Sequence, residues 1–369
     1  MKKIQKNTFS AIKITAVSAL TLFCLINTAQ VKSAVYDSVM RCFNVVIPSL
    51  YAVMILSGFL IKSGLIRKLP HFITLPGKFL FGMNGCLFPI FILSQFAGYP
   101  VGVKMLCAEY ENGSVSRRSA ELLSGICYGA GPAFIFGCIA SQMYGCTAAG
   151  KLILISNLSA NIILAFIISM KIRKDNTYSE PETVRLNLSS DILTQSILSG
   201  GRSMADICIM ITAFSVAASF LSSSGILELT AHFLSELSGI NQETASGLIM
   251  AFLDVTSVHE LPRNDFGILP IICGLSSFGG ICVILQITSL VDGKLRLKPM
   301  ILTRAAASVL SGIICRILMP FILADTAVST SKINVSVHSS DSPVPSFLLI
   351  IMTIILFSEY EKIKNRNIC

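Results

Sequence analysis

Hydrophobic and polar positions follow the same order in the two halves of the chain. An apolar segment in the first half ends in Phe-Leu-Ile-Lys-Ser-Gly at 59–64, and one in the second half ends in Phe-Leu-Ser-Ser-Ser-Gly at 220–225. A further apolar segment with a polar end follows at a matching distance, 30 residues from Gly64 to Ser94 and 29 from Gly225 to Asp254. The repetition predicts two structurally related halves.

Each half then contains another apolar segment that small residues interrupt. The interruption is Gly-Ala-Gly-Pro at 129–132 in the first half and Phe-Gly-Gly at 278–280 in the second. Breaks at matching positions of two repeats are typical of secondary transporters, in which discontinuous helices form the binding site. The alternative interpretation is close packing, because small residues also let membrane helices approach one another.

The apolar stretches predict an all-α polytopic membrane protein with about eight transmembrane helices. Of the residues, 53% are hydrophobic and 13% are charged, and the mean hydropathy is +0.73, which excludes an ordinary soluble domain. For the first 34 residues, a cleaved signal peptide is the alternative to a membrane helix. The predicted helices lie near 11–30, 43–66, 120–143, 149–170, 206–226, 267–290, 301–323 and 345–358, and two shorter segments near 84–105 and 245–258 are predicted to be re-entrant or broken.

The distribution of basic residues predicts the orientation of the chain. With both termini in the cytoplasm, 21 of the 29 Lys and Arg residues lie on the inner side and five on the outer side, as the positive-inside rule requires. Topology therefore explains the net charge of +9, and no nucleic acid is predicted as a partner. In this orientation the span ending at Gly64 runs inwards and the span ending at Gly225 runs outwards. The halves are predicted to be an inverted-topology repeat, as alternating access requires.

The predicted organisation has five parts. They are an N-terminal transmembrane anchor at 1–41, a first repeat at 42–170, a cytoplasmic linker at 171–204, an inverted second repeat at 205–325, and an outer loop, last transmembrane helix and cytoplasmic tail at 326–369. Twelve cysteines are scattered without a Cys-x-x-Cys pair, so no metal site and no disulfide framework is predicted. No cofactor is predicted either. The chain has no catalytic motif, so we do not expect an enzyme.

The four breaks supply the candidate substrate-binding residues. Two glycines and a proline within 98–102 will not continue a helix, so backbone amides and carbonyls are released at membrane depth. Lys104 would then face an anionic group; the alternative is a kinked helix from which Tyr99 and Lys104 reach the interface. The candidates are Ser94, Gln95, Gly98, Tyr99, Pro100 and Lys104, then Tyr128, Gly129, Gly131 and Pro132, and in the second half Thr256, Ser276, Ser277, Gly279 and Gly280.

Asp254 is the only acid inside an apolar segment of the second half, and it is the candidate ion-coupling residue. A buried carboxylate can take up H⁺ or Na⁺ on one side of a membrane and release it on the other. The alternatives are a structural ion pair with Arg316, or an interfacial position near His259 and Glu260. The predicted partners are therefore a small-molecule substrate, a coupling ion (H⁺ or Na⁺) and the lipid bilayer, and a homo-oligomer stays open.

The chain resembles the YlbJ (SpoVV) sporulation integral membrane proteins of the nucleoside-recognition, or Gate-domain, group. Three short segments carry the resemblance, namely 96–104, with 46–50 upstream and 129–137 downstream. The resemblance covers about residues 10–325 and rests on the elements Gly-Tyr-Pro-x-Gly-x-Lys and Ala-Gly-Pro. It implies a fold similar to concentrative nucleoside transporters and delivery of dipicolinic acid across the mother cell's membrane during sporulation. The chain departs from the family pattern at Asp254, where a glutamate is expected.

These arguments predict a sporulation-associated secondary transporter of a small anionic aromatic metabolite, dipicolinic acid first, in the cell membrane. Dipicolinate is a planar dianion, so Tyr99 and Tyr128 would stack on its ring while Lys104 and half-helix N-termini neutralise its carboxylates. A nucleoside or nucleobase transporter is one alternative and calls for more neutral hydrogen-bonding groups. A sporulation membrane scaffold is the other, and it has no use for unwound backbone at the midplane.

Overall fold

The computed structural model describes residues 15, 17–68, 71–83, 86–172 and 186–323. Every regular element in these ranges is a helix. The predicted last span at 345–358, the outer loop before it, the cytoplasmic tail and residues 173–185 of the predicted linker lie outside the described residues.

The first half contains nine helices among the described residues. Two of them have π-helical continuations, Cys42–Val46 between α2 and α3 and Ile135–Tyr144 after α8. The bounds are α1 Val17–Ile26, α2 Thr28–Arg41, α3 Ile47–Lys62, α4 His71–Phe81, α5 Leu87–Ala97, α6 Tyr99–Glu111, α7 Arg117–Leu123, α8 Pro132–Phe134 and α9 Thr147–Ile172.

The second half contains six α-helices among the described residues. A short 3₁₀-helix, Val255–Glu260, stands where the first half has α6. The bounds are α10 Ser190–Ser223, α11 Ile226–Ser238, α12 Gln242–Leu253, α13 Leu269–Phe278, α14 Gly280–Val291 and α15 Lys298–Leu323.

Five helical stretches among the described residues are long and apolar enough to cross a membrane, when α2 is counted with α3 and α13 with α14. They are Thr28–Lys62, Thr147–Met170, Ser190–Ser223, Leu269–Val291 and Lys298–Leu323. On α15 the side chains of Leu302, Val309 and Phe321 all point outwards and are largely exposed. A surface of this kind is stable when lipid covers it. The prediction of an all-α, polytopic, membrane-embedded protein is therefore confirmed.

The structure differs from the prediction at three connections. Helix α2 fills the predicted outer loop after residue 30. It continues through the π-helical Cys42–Val46 into α3, across the predicted boundary at 41/42, since the stretch from 28 to 46 contains neither Gly nor Pro. Helix α10 begins at Ser190, inside the predicted linker 171–204. Gly200 does not interrupt α10 but lets it pack on α3, where a Cβ would lie 3.1 Å from Ile55 Cγ1. The predicted span 120–143 is divided, because α7 ends at Leu123 and α8 begins at Pro132.

Both predicted re-entrant segments fold back on themselves. Between α5 and α6 the chain turns at Gly98, whose φ is +91°, and a Cβ on Gly102 would lie 2.4 Å from Ser94 Cβ. Such proximity requires α6 to run back along α5, so a single kinked helix is excluded. In the second half the chain turns at Asp254, and a Cβ on Gly247 would lie 2.7 Å from Leu261 Cδ2. The two halves therefore each contain a hairpin at the predicted place.

The hairpins lie between two groups of longer helices. On one side α15 packs against α9, α13 and α7, and on the other α10 packs against α2 and α3. Between them α14 contacts α6, α10 and α12. The turns of the two hairpins and the two later breaks meet in this middle layer.

Candidate functional site

In each half the hairpin turn packs directly on the later break. A Cβ on Gly131 would lie 3.3 Å from both Phe96 O and Gly98 N. A Cβ on Gly280, whose φ is +83°, would lie 3.0 Å from Val255 N. Backbone approaches backbone at both places more closely than most Cβ atoms tolerate, which favours glycine. The small residues of the breaks thus serve contact between unwound segments, and the two halves do this in the same way.

Tyr99 and Tyr128 join the first half to the second. Tyr99 Oη donates to Ser276 O at 2.8 Å, and Tyr128 Oη donates to Phe278 O at 2.6 Å. These carbonyls lie in the last turn of α13, where a helix leaves its C=O groups without intrahelical partners. The two rings lie 5.2 Å apart between centroids. Tyr128 is fully buried, so the structure does not place it for stacking on a substrate, whereas Tyr99 lines a cavity.

A buried arginine lies beside these tyrosines. Arg304 of α15 is 0% exposed, and its Nη2 donates to Asn161 Oδ1 at 2.6 Å. Its Nη1 donates to Tyr128 O at 3.3 Å and Ser277 O at 3.4 Å. The guanidinium carbon also lies 5.1 Å from the centroid of the Tyr128 ring. None of the ion pairs between described residues involves Arg304, so backbone carbonyls, an amide and an aromatic face surround this cation.

Hydrogen bonds extend from Arg304 into the first hairpin. Asn161 Nδ2 donates to Gln95 Oε1 at 2.7 Å, and Gln95 Nε2 donates to Ile126 O and to Ser94 Oγ, each at 3.0 Å. We call these residues and Arg304 the Arg304 network. Several predicted binding residues belong to it or lie against it and line no described cavity: Ser94, Gln95, Tyr128, Gly129, Ser276, Ser277 and Gly279.

A cavity of about 390 Å³, here the central cavity, lies next to the network. This volume is within the range of small-molecule sites, about 300–1,000 Å³. Pro132 and Gly280 do not line it. Six predicted site residues line it: Gly98, Tyr99, Pro100, Gly131, Asp254 and Thr256. Other residues in its wall include Asp37, Arg41, Ser49, Gln142, Ile207, Ile211, His259, Val283 and Gln286.

Two helix N-termini open on the central cavity. Gly98 and Pro100 stand at the start of α6, and Gly131 is the residue before the first turn of α8, which continues into its π-helix. The first N–H groups of a helix have no intrahelical acceptor, and the helix dipole adds partial positive charge there. These ends favour an anionic group in the cavity.

Asp254 lies at the turn of the second hairpin and is 7% exposed. Its carboxylate accepts hydrogen bonds from Thr256 N at 3.0 Å and Thr256 Oγ1 at 2.9 Å, which caps the following 3₁₀-helix. Arg41 Nη1 donates to Thr256 Oγ1 at 3.4 Å, so a basic side chain is nearby. Arg316 lines separate grooves on α15, and no ion pair joins it to Asp254 among the described residues.

Asp254 is also accessible from a second direction. It lines another cavity, of about 390 Å³, whose wall contains Ser222 and Ser223 at the C-terminal end of α10. We call it the outer cavity, because that end of α10 is predicted to face outwards. Asp254 therefore stands between the central cavity and the predicted outer side.

Lys104 is in a different place from the other predicted site residues. Its Nζ donates to Ser203 Oγ at 2.6 Å and lies 3.4 Å from Ser199 Oγ, both on α10. It lines a separate cavity of about 490 Å³, here the inner cavity. The prediction grouped Lys104 with Tyr99 and Pro100, and the structure separates them by one helical turn.

Sequence reasoning missed several polar residues at the centre of the molecule. The charge count assigned Arg304 to the inner side, although it lies inside an apolar span, which is the signal that identifies a buried charge. Asn157 and Asn161 are four residues apart in apolar α9, so they share a helix face. Arg41 was assigned to a loop that the structure shows to be helical.

Comparisons with protein-family models, curated proteins and solved structures gave no match. Within the described residues, no group of three His, Cys, Asp or Glu side chains is arranged to hold a metal ion. The candidate site is therefore the central cavity, defined by its own geometry.

Proposed function

We propose that this protein is a secondary transporter that binds a small organic anion in the central cavity and moves it by alternating access. The observation that carries the proposal is the meeting of both hairpin turns at one cavity, with Gly98 from the first half and Asp254 from the second in its wall. Discontinuous helices at a repeat interface are the usual construction of a transporter site. Two helix N-termini supply the partial positive charge for an anion.

Dipicolinate is the substrate that we propose first. The resemblance of 96–104 and 129–137 to the YlbJ group suggests it. The central cavity suits a planar aromatic dianion, because Tyr99 forms part of the wall, two helix N-termini open on it and Arg41 contributes a positive charge, set against the carboxylates of Asp37 and Asp254. In this proposal the protein lies in the cell membrane of a sporulating mother cell, with both termini in the cytoplasm.

Asp254 fits a coupling role in the same proposal. A carboxylate beside an anionic substrate repels it, and uptake of H⁺ or Na⁺ removes the repulsion. Binding of the ion and of the anion then favour each other, which is the reciprocity that coupled transport needs. Since Asp254 lines both the central and the outer cavity, an ion can reach it from the predicted outer side.

A nucleoside is the second candidate substrate. Neutral hydrogen-bonding groups line the same cavity, namely Ser49, Gln142 and Gln286. These groups suit sugar hydroxyls and base edges, and they need no charge on the ligand.

Uptake by the purified protein in liposomes tests the proposal. We expect saturable accumulation of labelled dipicolinate under an imposed H⁺ or Na⁺ gradient, with competition by unlabelled dipicolinate and none by uridine. Protein-free liposomes are the control. Uptake of uridine alone would replace the substrate, and folded protein that moves neither compound under either gradient would overturn the transporter proposal.

A further inference from the structure

The inner cavity carries an excess of positive charge. Three basic side chains, Lys62, Lys104 and Arg202, line it together with a single acid, Asp206. Its remaining lining is mostly polar and includes Gln195, Ser199, Ser203 and Ser289. No predicted binding residue other than Lys104 lies there.

Two of the three basic groups of the inner cavity bind neutral oxygens. Lys62 Nζ donates to Gln195 O at 3.3 Å, and Lys104 Nζ donates to the Ser203 hydroxyl at 2.6 Å. Asp206 takes part in none of the ion pairs between described residues. A cavity in which positive charge predominates and whose walls have a low dielectric concentrates anions. The hydroxyls of Ser199 and Ser203 add hydrogen-bond donors and acceptors beside Lys104.

The three cavities follow one another along the length of α10. Gln195, Ser199 and Asp206 line the inner cavity, while Ile207 and Ile211 line the central one. Residues between 214 and 223 line the outer cavity. The stretch from 195 to 223 extends about 40 Å at 1.5 Å per residue, which is close to the thickness of a membrane.

Other helices confirm that the inner and central cavities are adjacent. On α6, Lys104 lies four residues after Pro100, which is about 6 Å along the helix axis. On α14, Gln286 lines the central cavity and Ser289 the inner one. The two cavities are therefore about one helical turn apart on both helices.

We propose that the inner cavity is a second binding site, specific for small anions, on the predicted cytoplasmic side of the central site. Carboxylate and phosphate groups have the right chemistry, because a guanidinium binds them with two parallel hydrogen bonds and an ammonium as a point charge. Anion binding rests only on the residues of the inner cavity. Its place on a transport route rests on the proposed function.

Charge-selective labelling of one engineered cysteine tests the anion site without requiring transport. Ser289→Cys places a thiol in the inner cavity on an exposed position, and Ser222→Cys places one in the outer cavity as the control. Each purified full-length variant reacts with an anionic and with a cationic methanethiosulfonate, and mass spectrometry reports the labelling rate of each peptide. We expect the anionic reagent to modify position 289 about tenfold faster than the cationic one. Phosphate or pyridine-2,6-dicarboxylate should slow this reaction, whereas uridine should not.

Neutral substitutions then identify the groups responsible. Adding Lys104→Gln and Arg202→Gln should bring the rate ratio at position 289 close to one and leave the ratio at 222 unchanged. Lys298→Gln, an exposed lysine outside the cavity, is the matched control. Equal rates for both reagents in the unmutated cavity, or a preference that survives Lys104→Gln and Arg202→Gln, would overturn the anion site.

The same variants separate the inner site from the transporter proposal. Slower dipicolinate uptake by Lys104→Gln, with normal uptake by Lys298→Gln, places the inner site on the route. Unchanged uptake by Lys104→Gln contradicts that placement and leaves the transporter proposal intact. If the wild type transports nothing but labels selectively at position 289, the proposed function fails and the anion site stands.

Discussion

Arg304 and Lys104 are both basic residues inside apolar helices, but their surroundings differ. Arg304 has acceptors on both terminal nitrogens and an aromatic ring against its plane, and it lines none of the cavities described above. Lys104 is held by two serines and lines open space. An intramembrane charge is often taken as a binding site. The comparison indicates that free volume next to the charge decides, because a buried cation that lines no described cavity has no space beside it for a ligand, even though Arg304 Nε lacks a hydrogen-bond partner.

The two tyrosines at the helix breaks show the same difference on a smaller scale. Tyr99 and Tyr128 each donate to a carbonyl of the last turn of α13, but only Tyr99 also lines the central cavity. The break at the end of α13 therefore has two sides. We call the side with the Arg304 network closed and the side with the central cavity open. Substitutions on the closed side should affect stability first, and substitutions on the open side should affect transport first.

Arg304→Met should have the largest effect on stability. The substitution leaves Asn161 Oδ1 and the carbonyl of Ser277 without their donor and removes one of the two donors to the Tyr128 carbonyl, which also accepts from Asn161 Nδ2. Losses of this kind at buried groups cost about 3 to 5 kcal/mol together. We expect a large loss of folded protein and a lower midpoint in a thermal unfolding assay in detergent. Arg316→Met, on an exposed position of the same helix, is the control. Equal unfolding midpoints for the two variants would show that the network is not structural.

Asp254→Asn should remove gradient-driven transport and retain most of the fold. The amide keeps an oxygen that can accept from Thr256 N, so the cost in stability is about 1 kcal/mol, but it cannot take up a proton and binds Na⁺ poorly. We expect uptake that no longer responds to the ion gradient in liposomes. Glu243→Gln, in the exposed first turn of α12, is the control. Unchanged gradient dependence in Asp254→Asn would exclude Asp254 as the coupling residue.

Ile207 and Ile211 line the central cavity on α10, and Ile207 follows directly after Asp206 of the basic inner cavity. They are 2% and 3% exposed, whereas Ile209, on the outer face of the same helix, is 64% exposed. Shortening either buried residue to Ala should open a passage and speed the downhill leak of substrate without a coupling gradient. Ile209→Ala should leave the leak at the wild-type rate. A leak that rises equally in all three variants would mean that the barrier lies elsewhere.

The sequence predicted the positions of the breaks because backbone chemistry alone determines them. Gly98 with Pro100, and Gly279 with Gly280, cannot continue a helix, and their effect is local. The site was predicted less well, because contacts between distant helices determine it. Lys104 turns away from the central cavity towards α10, and Arg304 is buried by α9 and α13. The residues next to them in the sequence do not show which helices these side chains contact. Of the four break regions, only the hairpin turns and Gly131 line the central cavity.

Phenylalanine substitutions at the two tyrosines should have the smallest effect and make the sharpest test of the comparison. Each removes one hydroxyl and one hydrogen bond, to Ser276 O from Tyr99 or to Phe278 O from Tyr128, and each should lower stability by about 1 kcal/mol. The stability losses should be similar, because the two carbonyls are in the same turn of α13. Transport should differ: Tyr99→Phe changes the wall of the central cavity and should raise the KM for substrate, whereas Tyr128→Phe should leave the KM unchanged. If Tyr128→Phe raises the KM as much as Tyr99→Phe does, the closed and open sides of the break are one functional unit, and the distinction between the network and the cavity is wrong.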